Sequence, residues 1–97
     1  MAKILMVDDS RTSRKLLRTI LEEAGHEVVG EAKDGQDGVK QFQALKPDVV
    51  TMDITMPVLD GVEALKMIKA LDKDSKVVMV TAAGQKPKIM ECIKAGA

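Results

Sequence analysis

Three aspartates and one threonine stand at the ends of short apolar runs in this sequence. They are Asp8, Asp9, Asp53 and Thr81. Carboxylates that gather in one place repel one another and require a cation. Oxygen ligands without a paired histidine or cysteine select a hard ion, which is Mg²⁺ or, in its place, Mn²⁺. An aspartate beside such an ion can attack a phosphoryl group, because the metal screens the charge between the two. The residue types therefore indicate metal-assisted phosphoryl chemistry on an aspartate.

The elements that must position these residues alternate between short apolar runs and longer segments of helical period. Runs rich in Val, Ile and Met predict four strands, at residues 4–7, 28–29, 49–52 and 77–81. A helical segment follows each strand, and the last one begins near Lys86-Pro87 and ends at Gly96. This alternation predicts an α/β fold whose parallel sheet is covered on both faces. Right-handed crossovers then bring the carboxyl ends of the strands, and with them the four polar residues, to one edge.

The first helical segment is clearly amphipathic. An apolar stripe predicts a helix that packs on the sheet, and the stripe contains Leu16, Leu17, Ile20, Leu21 and Ala24. Four basic residues lie opposite the stripe, where a solvated face is expected: Arg11, Arg14, Lys15 and Arg18. At the start of this segment, Asp8-Asp9-Ser10 has a second interpretation as a helix N-cap, because Asp and Ser both favour that position. The register of these acids with Asp53 and Thr81 favours the site at the sheet edge.

Composition places the chain among single globular domains. Its 97 residues, 45% of them hydrophobic and 31% charged, are expected to form one domain over residues 1–97. Fifteen basic and fifteen acidic residues give no net charge, and Phe42 is the one aromatic residue, so nucleic-acid binding is not expected. No apolar run approaches the length of a membrane span. The single cysteine, Cys92, suits a reducing compartment, and we expect a cytoplasmic protein.

Several segments of the sequence resemble the motifs of one family. They are Val7-Asp8-Asp9-Ser10, Asp48 to Pro57 with Asp60-Gly61, Val80-Thr81-Ala82, and Lys94-Ala95-Gly96-Ala97. In this order and spacing they resemble the receiver domains of two-component response regulators, and above all the stand-alone chemotaxis receivers of the CheY type. The resemblance covers the whole chain. It implies a flavodoxin-like, doubly wound parallel sheet with strand order 2-1-3-4-5, and a signalling phosphoacceptor that is not a turnover enzyme.

The resemblance also implies roles for the acidic residues at the sheet edge. Asp53 is expected to accept a phosphoryl group, either from the phosphohistidine of a sensor histidine kinase or from a small acyl phosphate. Asp9 is expected to bind Mg²⁺ directly and Asp8 mainly through water. Asp53 and the backbone carbonyl of Thr55 are expected to complete the protein ligands of the metal.

Two residues after the fourth strand receive roles from the same resemblance. The hydroxyl of Thr81 is expected to move and donate a hydrogen bond to the phosphoryl oxygen, and the small side chain of Ala82 keeps access to the acceptor open. A phosphatase of the haloacid dehalogenase class also forms an aspartyl phosphate. That class needs a second acid two residues after the nucleophile, and this sequence has Thr55 there, so the receiver is favoured.

The sequence departs from the family's pattern at its carboxyl end. Receivers continue past the Gly-Ala with a fifth strand and a fifth helix, and they supply a lysine for the phosphoryl group, whereas this sequence ends at Ala97. We therefore expect a truncated receiver of four strands and four helices, in which the edge of the fourth strand and one face of the first helix are uncovered. These surfaces predict a homo-oligomer. The other expected partners are a sensor histidine kinase and a flagellar-motor or other output protein. The alternative function is a structural oligomer with impaired or absent phosphotransfer.

Overall fold

The computed structural model describes residues 2–53, 59–80 and 96 of the chain. Strands and helices alternate as the sequence predicts. The elements are β1 (Lys3–Val7), α1 (Arg11–Glu23), β2 (Glu27–Ala32), α2 (Gly35–Leu45), β3 (Val49–Asp53), α3 (Gly61–Leu71) and β4 (Lys76–Val80). The fourth predicted helix, near residues 86–96, lies outside the described residues except for Gly96. Each described helix is too short or too polar to cross a membrane.

The four strands form one parallel sheet in the order β2-β1-β3-β4. This order agrees with the first four strands that the resemblance implies. Strand β2 is longer than predicted, because Glu27, Gly30 and Glu31 interrupt the apolar pattern of a segment that pairs with β1 from Glu27 to Ala32. A register shift between Ile4 and Leu5 absorbs one extra residue of β2. Since all four strands are parallel, their carboxyl ends meet at one edge of the sheet.

Alternate residues of β1 point to opposite faces of the sheet and divide the core in two. On one face, Leu5 and Val7 join the larger cluster, to which α2 contributes Phe42 and α3 contributes Leu65. On the other face, Ile4 and Met6 pack with Val28 against the half-buried Leu17 and Leu21 of α1. Helices therefore cover both faces, and α1 lies on the face opposite α2 and α3.

Each described helix begins at a side-chain cap. Ser10 accepts a hydrogen bond from the backbone N–H of Ser13, and Asp34 and Asp60 make the equivalent bonds at the starts of α2 and α3. Ser10 thus performs the capping role that the sequence left open to Asp8-Asp9-Ser10. The two aspartates before it are available for the sheet edge.

The apolar stripe of α1 contacts the sheet along only half of its width. Leu17 and Leu21 contact the sheet, whereas Leu16 is 65% and Ile20 is 54% exposed. The exposure of Leu16 and Ile20 agrees with the expectation that part of the apolar face of α1 is uncovered. Val78 and Val80 of β4 are also exposed, and the strand register places Val78 on the same sheet face as the residues under α1. Val78 therefore adds an exposed apolar side chain to the sheet face that α1 partly covers.

Candidate functional site

The three predicted aspartates meet at the carboxyl edge of the sheet. One carboxylate oxygen each from Asp8, Asp9 and Asp53 lies within 4.8 Å of the other two. Asp8 and Asp9 follow β1, and Asp53 is the last residue of the neighbouring strand β3. Asp9 is exposed and the other two are half-buried, so the cluster opens to solvent. The sequence-based prediction that these acids converge is confirmed.

The backbone and side chain of Asp8 are fixed by three hydrogen bonds. Its N–H donates to the carbonyl of Ala32 at 3.0 Å, which extends the pairing of β1 with β2 by one residue. Its Oδ1 accepts from the N–H of Ser10 at 2.8 Å. Its carbonyl oxygen accepts from Nη1 of Arg14, across one turn of α1, at 2.6 Å. Asp8 and the start of Asp9 are therefore held in place by β2, by the cap of α1 and by a side chain of α1.

A second set of contacts holds the guanidinium groups of α1 against β2. Nε of Arg14 lies 3.2 Å from Oε1 of Glu31, and Nη1 of Arg18 lies 2.5 Å from Oε2 of the same carboxylate. Arg18 also approaches Glu22, one turn further along the helix. The hydrogen bond that Arg18 donates to the carboxylate of Glu31 raises the pKa of the Arg18 guanidinium. The prediction that these arginines form a solvated face is wrong for Arg14, whose side chain is 16% exposed.

The chemistry of the acidic cluster fits a hard divalent cation. All of its donors are carboxylate oxygens, and Mg²⁺ bound octahedrally at about 2.0–2.1 Å sets adjacent ligand oxygens about 2.9 Å apart and opposite ones about 4.1 Å apart. The separations within the cluster are compatible with direct ligands together with a ligand bridged by water. Two like charges about 4 Å apart repel by about 1 kcal/mol in water and by about 4 kcal/mol near a protein surface. A bound cation would remove this repulsion.

Three residues of the predicted site lie outside the described residues. They are Thr55, Thr81 and Ala82. Their places along the chain are nevertheless next to described elements, because Val80 ends β4 and pairs in register with Asp53. Arg14 is the site residue that the sequence analysis missed. Its helical position opposite the leucines suggested a solvated face, and the single available signal was its spacing of one helical turn from Ser10.

Comparison with known proteins identifies the family to which this fold belongs. The sequence matches the response regulator receiver domain family over residues 4–97. Chemotaxis protein CheY of Thermotoga maritima is 45% identical over 95 residues, with 98% of this chain and 79% of that protein covered. CheY of Listeria monocytogenes is 45% identical over 97 residues, covering 100% of this chain and 82% of that protein. The crystal structure of the CheX-CheY-BeF3-Mg²⁺ complex from Borrelia burgdorferi superposes with a TM-score of 0.93 at 35% identity, covering 98% of this chain and 72% of that one.

A parallel sheet in the order 2-1-3-4 and a cluster of three acids at its carboxyl edge agree with a receiver, the class that the family match gives. The chain belongs to the response regulator receiver family. Within that family it is similar to the CheY chemotaxis proteins, which accept a phosphoryl group and are not turnover enzymes, and the chain is of that class.

Proposed function

We propose that this receiver is an Mg²⁺-dependent phosphoacceptor in two-component signalling of the chemotaxis type, and that Asp53 is the residue that is phosphorylated. The observation that carries the proposal is the meeting of Asp8, Asp9 and Asp53 within 4.8 Å. An acid at the end of a central strand, open to solvent and flanked by two more acids, combines a nucleophile with ligands for a metal. The Mg²⁺ in the Borrelia burgdorferi CheX-CheY complex supports the same metal here.

In the proposed reaction, a carboxylate oxygen of Asp53 forms a bond to phosphorus while the bond from phosphorus to the donor breaks. When Mg²⁺ is bound, Asp9 and Asp53 would be direct ligands and Asp8 would hold the ion mainly through water. The backbone carbonyl of Thr55 would add a further ligand. When bound, Mg²⁺ offsets the repulsion between the carboxylates and the incoming phosphoryl oxygens.

Two residues beyond β4 complete the proposal. The hydroxyl of Thr81 donates a hydrogen bond to the phosphoryl oxygen after transfer, and the small side chain of Ala82 leaves room for the phosphodonor to approach Asp53. The register supports these roles, because Val80 pairs with Asp53 and Thr81 is the next residue of the chain. We place the domain at residues 1–97, with a sensor histidine kinase as donor and a flagellar-motor or other output protein as partner. A chain with one cysteine suits the cytoplasm.

Incubation with acetyl phosphate and Mg²⁺ tests the proposal by intact-protein mass spectrometry. We expect the chain to gain one phosphoryl group, and Asp53→Asn to abolish the gain because an amide is not a nucleophile toward phosphorus. Asp74→Asn is the matched control, since this exposed acid lies in the turn before β4, away from the carboxyl edge. Uptake that persists in Asp53→Asn, or no uptake by the parent chain, would contradict the proposal.

A second proposal concerns self-association, which is favoured by the exposed apolar residues of α1. Leu16 and Ile20 lie one turn apart and are both more than half exposed. The first turn of α1 has no acidic residue and its last turn no basic one, so its charges oppose the helix dipole. If a second copy of α1 packs antiparallel to the first, the acidic last turn of one helix, with Glu23, lies beside the basic first half of the other, with Lys15. We propose that a second copy of the chain covers this face by such two-fold pairing.

Light scattering after size exclusion at low micromolar concentration tests the pairing. We expect a dimer for the parent chain and weaker association for Lys15→Glu, because like charges would then meet across the two-fold axis. The double variant Lys15→Glu/Glu23→Lys restores opposite charges and should restore the dimer. A parent chain that is monomeric at every concentration, or a dimer insensitive to Lys15→Glu, would contradict pairing through α1.

A further inference from the structure

The side chain of Arg14 links helix α1 to the acidic site. Arg14 donates from Nη1 to the carbonyl oxygen of Asp8 at 2.6 Å and from Nε to Oε1 of Glu31 at 3.2 Å. Its guanidinium therefore donates to two acceptors in different parts of the sheet. One is the carbonyl of Asp8, directly after β1, and the other is the carboxylate of Glu31 in β2. With 16% of its side chain exposed, Arg14 is the more enclosed of the two arginines that contact Glu31.

The bond to Asp8 acts on the backbone between the two aspartates. The carbonyl of Asp8 belongs to the peptide unit that joins Asp8 to Asp9, so a donor fixed on this oxygen limits rotation of that peptide. A change in ψ of Asp8 that φ of Asp9 does not compensate would move the side chain of Asp9 relative to Asp53 and separate the ligand oxygens. Glu31 in turn holds the guanidinium, because its carboxylate accepts from both Arg14 and Arg18. The planar guanidinium of arginine has several N–H donors in a fixed arrangement, so it can donate to both acceptors at once better than the single ammonium of lysine can.

We propose that Arg14 is a positioning residue for divalent-cation binding, which fixes the Asp8–Asp9 peptide so that the three carboxylates face one ion. This inference rests on the proposed function, since it concerns the affinity of the same acidic site for Mg²⁺. Residues that hold metal ligands by hydrogen bonds commonly change metal affinity by about 10- to 100-fold when they are substituted. Arg14 acts through the backbone of a ligand and does not itself contact the metal.

The direction in which the Mg²⁺ affinity changes when Arg14 is removed distinguishes a positioning role from a purely electrostatic one. Removal of a cationic side chain near an acidic site makes the site more negative, which strengthens the binding of a cation. Loss of a positioning contact has the opposite result, because the ligands are then less ordered before the ion binds. Arg18 provides the matched control. It is also cationic, lies on the same helix and pairs with the same Glu31, but its bonds go to Glu31 and Glu22 rather than to Asp8.

Titration with Mg²⁺, followed by the backbone amide signals of Asp8, Asp9 and Asp53 in NMR spectra, tests the proposal on the full chain. The sequence has neither tryptophan nor tyrosine, so amide signals replace fluorescence. We expect Arg14→Ala to weaken Mg²⁺ binding by about tenfold or more. Arg18→Ala should change the affinity by less than about twofold, because exposed charges are screened by salt. If Arg14→Ala gives no dispersed spectrum, Arg14→Lys is compared with Arg18→Lys, and only the former should weaken binding.

The outcomes distinguish the two proposals. Equal affinities for the Arg14 and Arg18 variants, or tighter binding by Arg14→Ala, would overturn the positioning role while the metal site itself stands. Failure of the parent chain to bind Mg²⁺ would overturn the site on which both proposals rest. Weaker binding by the Arg14 variants alone, with a folded spectrum, supports the positioning role.

Discussion

Magnesium is expected to raise the free energy of unfolding of this chain by about 2.7 kcal/mol when it is present at about one hundred times its dissociation constant. The reason is that the acidic cluster exists only in the folded chain, so the ion binds that state alone. For a domain of this size, each 1 kcal/mol corresponds to a shift in the melting temperature of about 4–8 °C. Thermal unfolding followed by circular dichroism, with Mg²⁺ added stepwise, measures the shift.

The control for this effect is Asp9→Asn. It removes one carboxylate from the cluster of Asp8, Asp9 and Asp53 and should abolish the stabilisation by Mg²⁺. Without metal, the same variant should be no less stable than the parent chain, because one source of like-charge repulsion is gone. A melting temperature of the parent chain that does not change in about 10–50 mM Mg²⁺ would show that the acids do not form a metal site.

Gly35→Ala is expected to lower the free energy of unfolding by about 2–3 kcal/mol. A Cβ on Gly35 would lie 2.0 Å from the backbone oxygen of Leu59 and 2.8 Å from its carbonyl carbon. Backbone atoms cannot move aside as the end of a flexible side chain can, so the start of α2 must separate from the chain that leads to the cap of α3. Urea unfolding of the variant, compared with the parent chain, measures the loss.

Gly25→Ala is the matched control for this substitution. Gly25 follows α1 with a φ of +88°, and a Cβ there would have nothing within 4 Å. Its substitution should cost about 1 kcal/mol, from the strain of a left-handed backbone alone. If Gly35→Ala is no more destabilising than Gly25→Ala, the close approach between α2 and Leu59 does not constrain the fold.

Much of the fold follows from periodicity alone. Strands such as Val49–Asp53 have a run of buried, mostly apolar residues because both faces of the sheet are covered, and that feature is visible in the sequence. Strand β2 is harder to recognise, since a glycine and three polar or small residues interrupt it. The partly uncovered face of α1 was expected from the family resemblance and not from periodicity. The apolar stripe is wider than the surface that it covers, and periodicity alone does not reveal which half of it meets the sheet.

The candidate site could likewise be predicted from the sequence only in part. The acids could be predicted because the carboxyl ends of parallel strands must share one edge, and Asp8, Asp9 and Asp53 stand at two such ends. The role of Arg14 could not be predicted. It depends on the direction of a long side chain and on the position of Glu31 in a neighbouring strand, which is set by register rather than by local pattern.

Location of the phosphoryl group within the chain tests most directly whether the acidic cluster is a phosphoacceptor site. After reaction with acetyl phosphate and Mg²⁺, borohydride reduces an aspartyl phosphate to homoserine, which marks the modified position for peptide mass spectrometry. We predict homoserine at Asp53, and none when Mg²⁺ is chelated before the donor is added. Homoserine at another acid, or equal modification with and without Mg²⁺, would contradict the proposal that Asp53 accepts the phosphoryl group at a metal site.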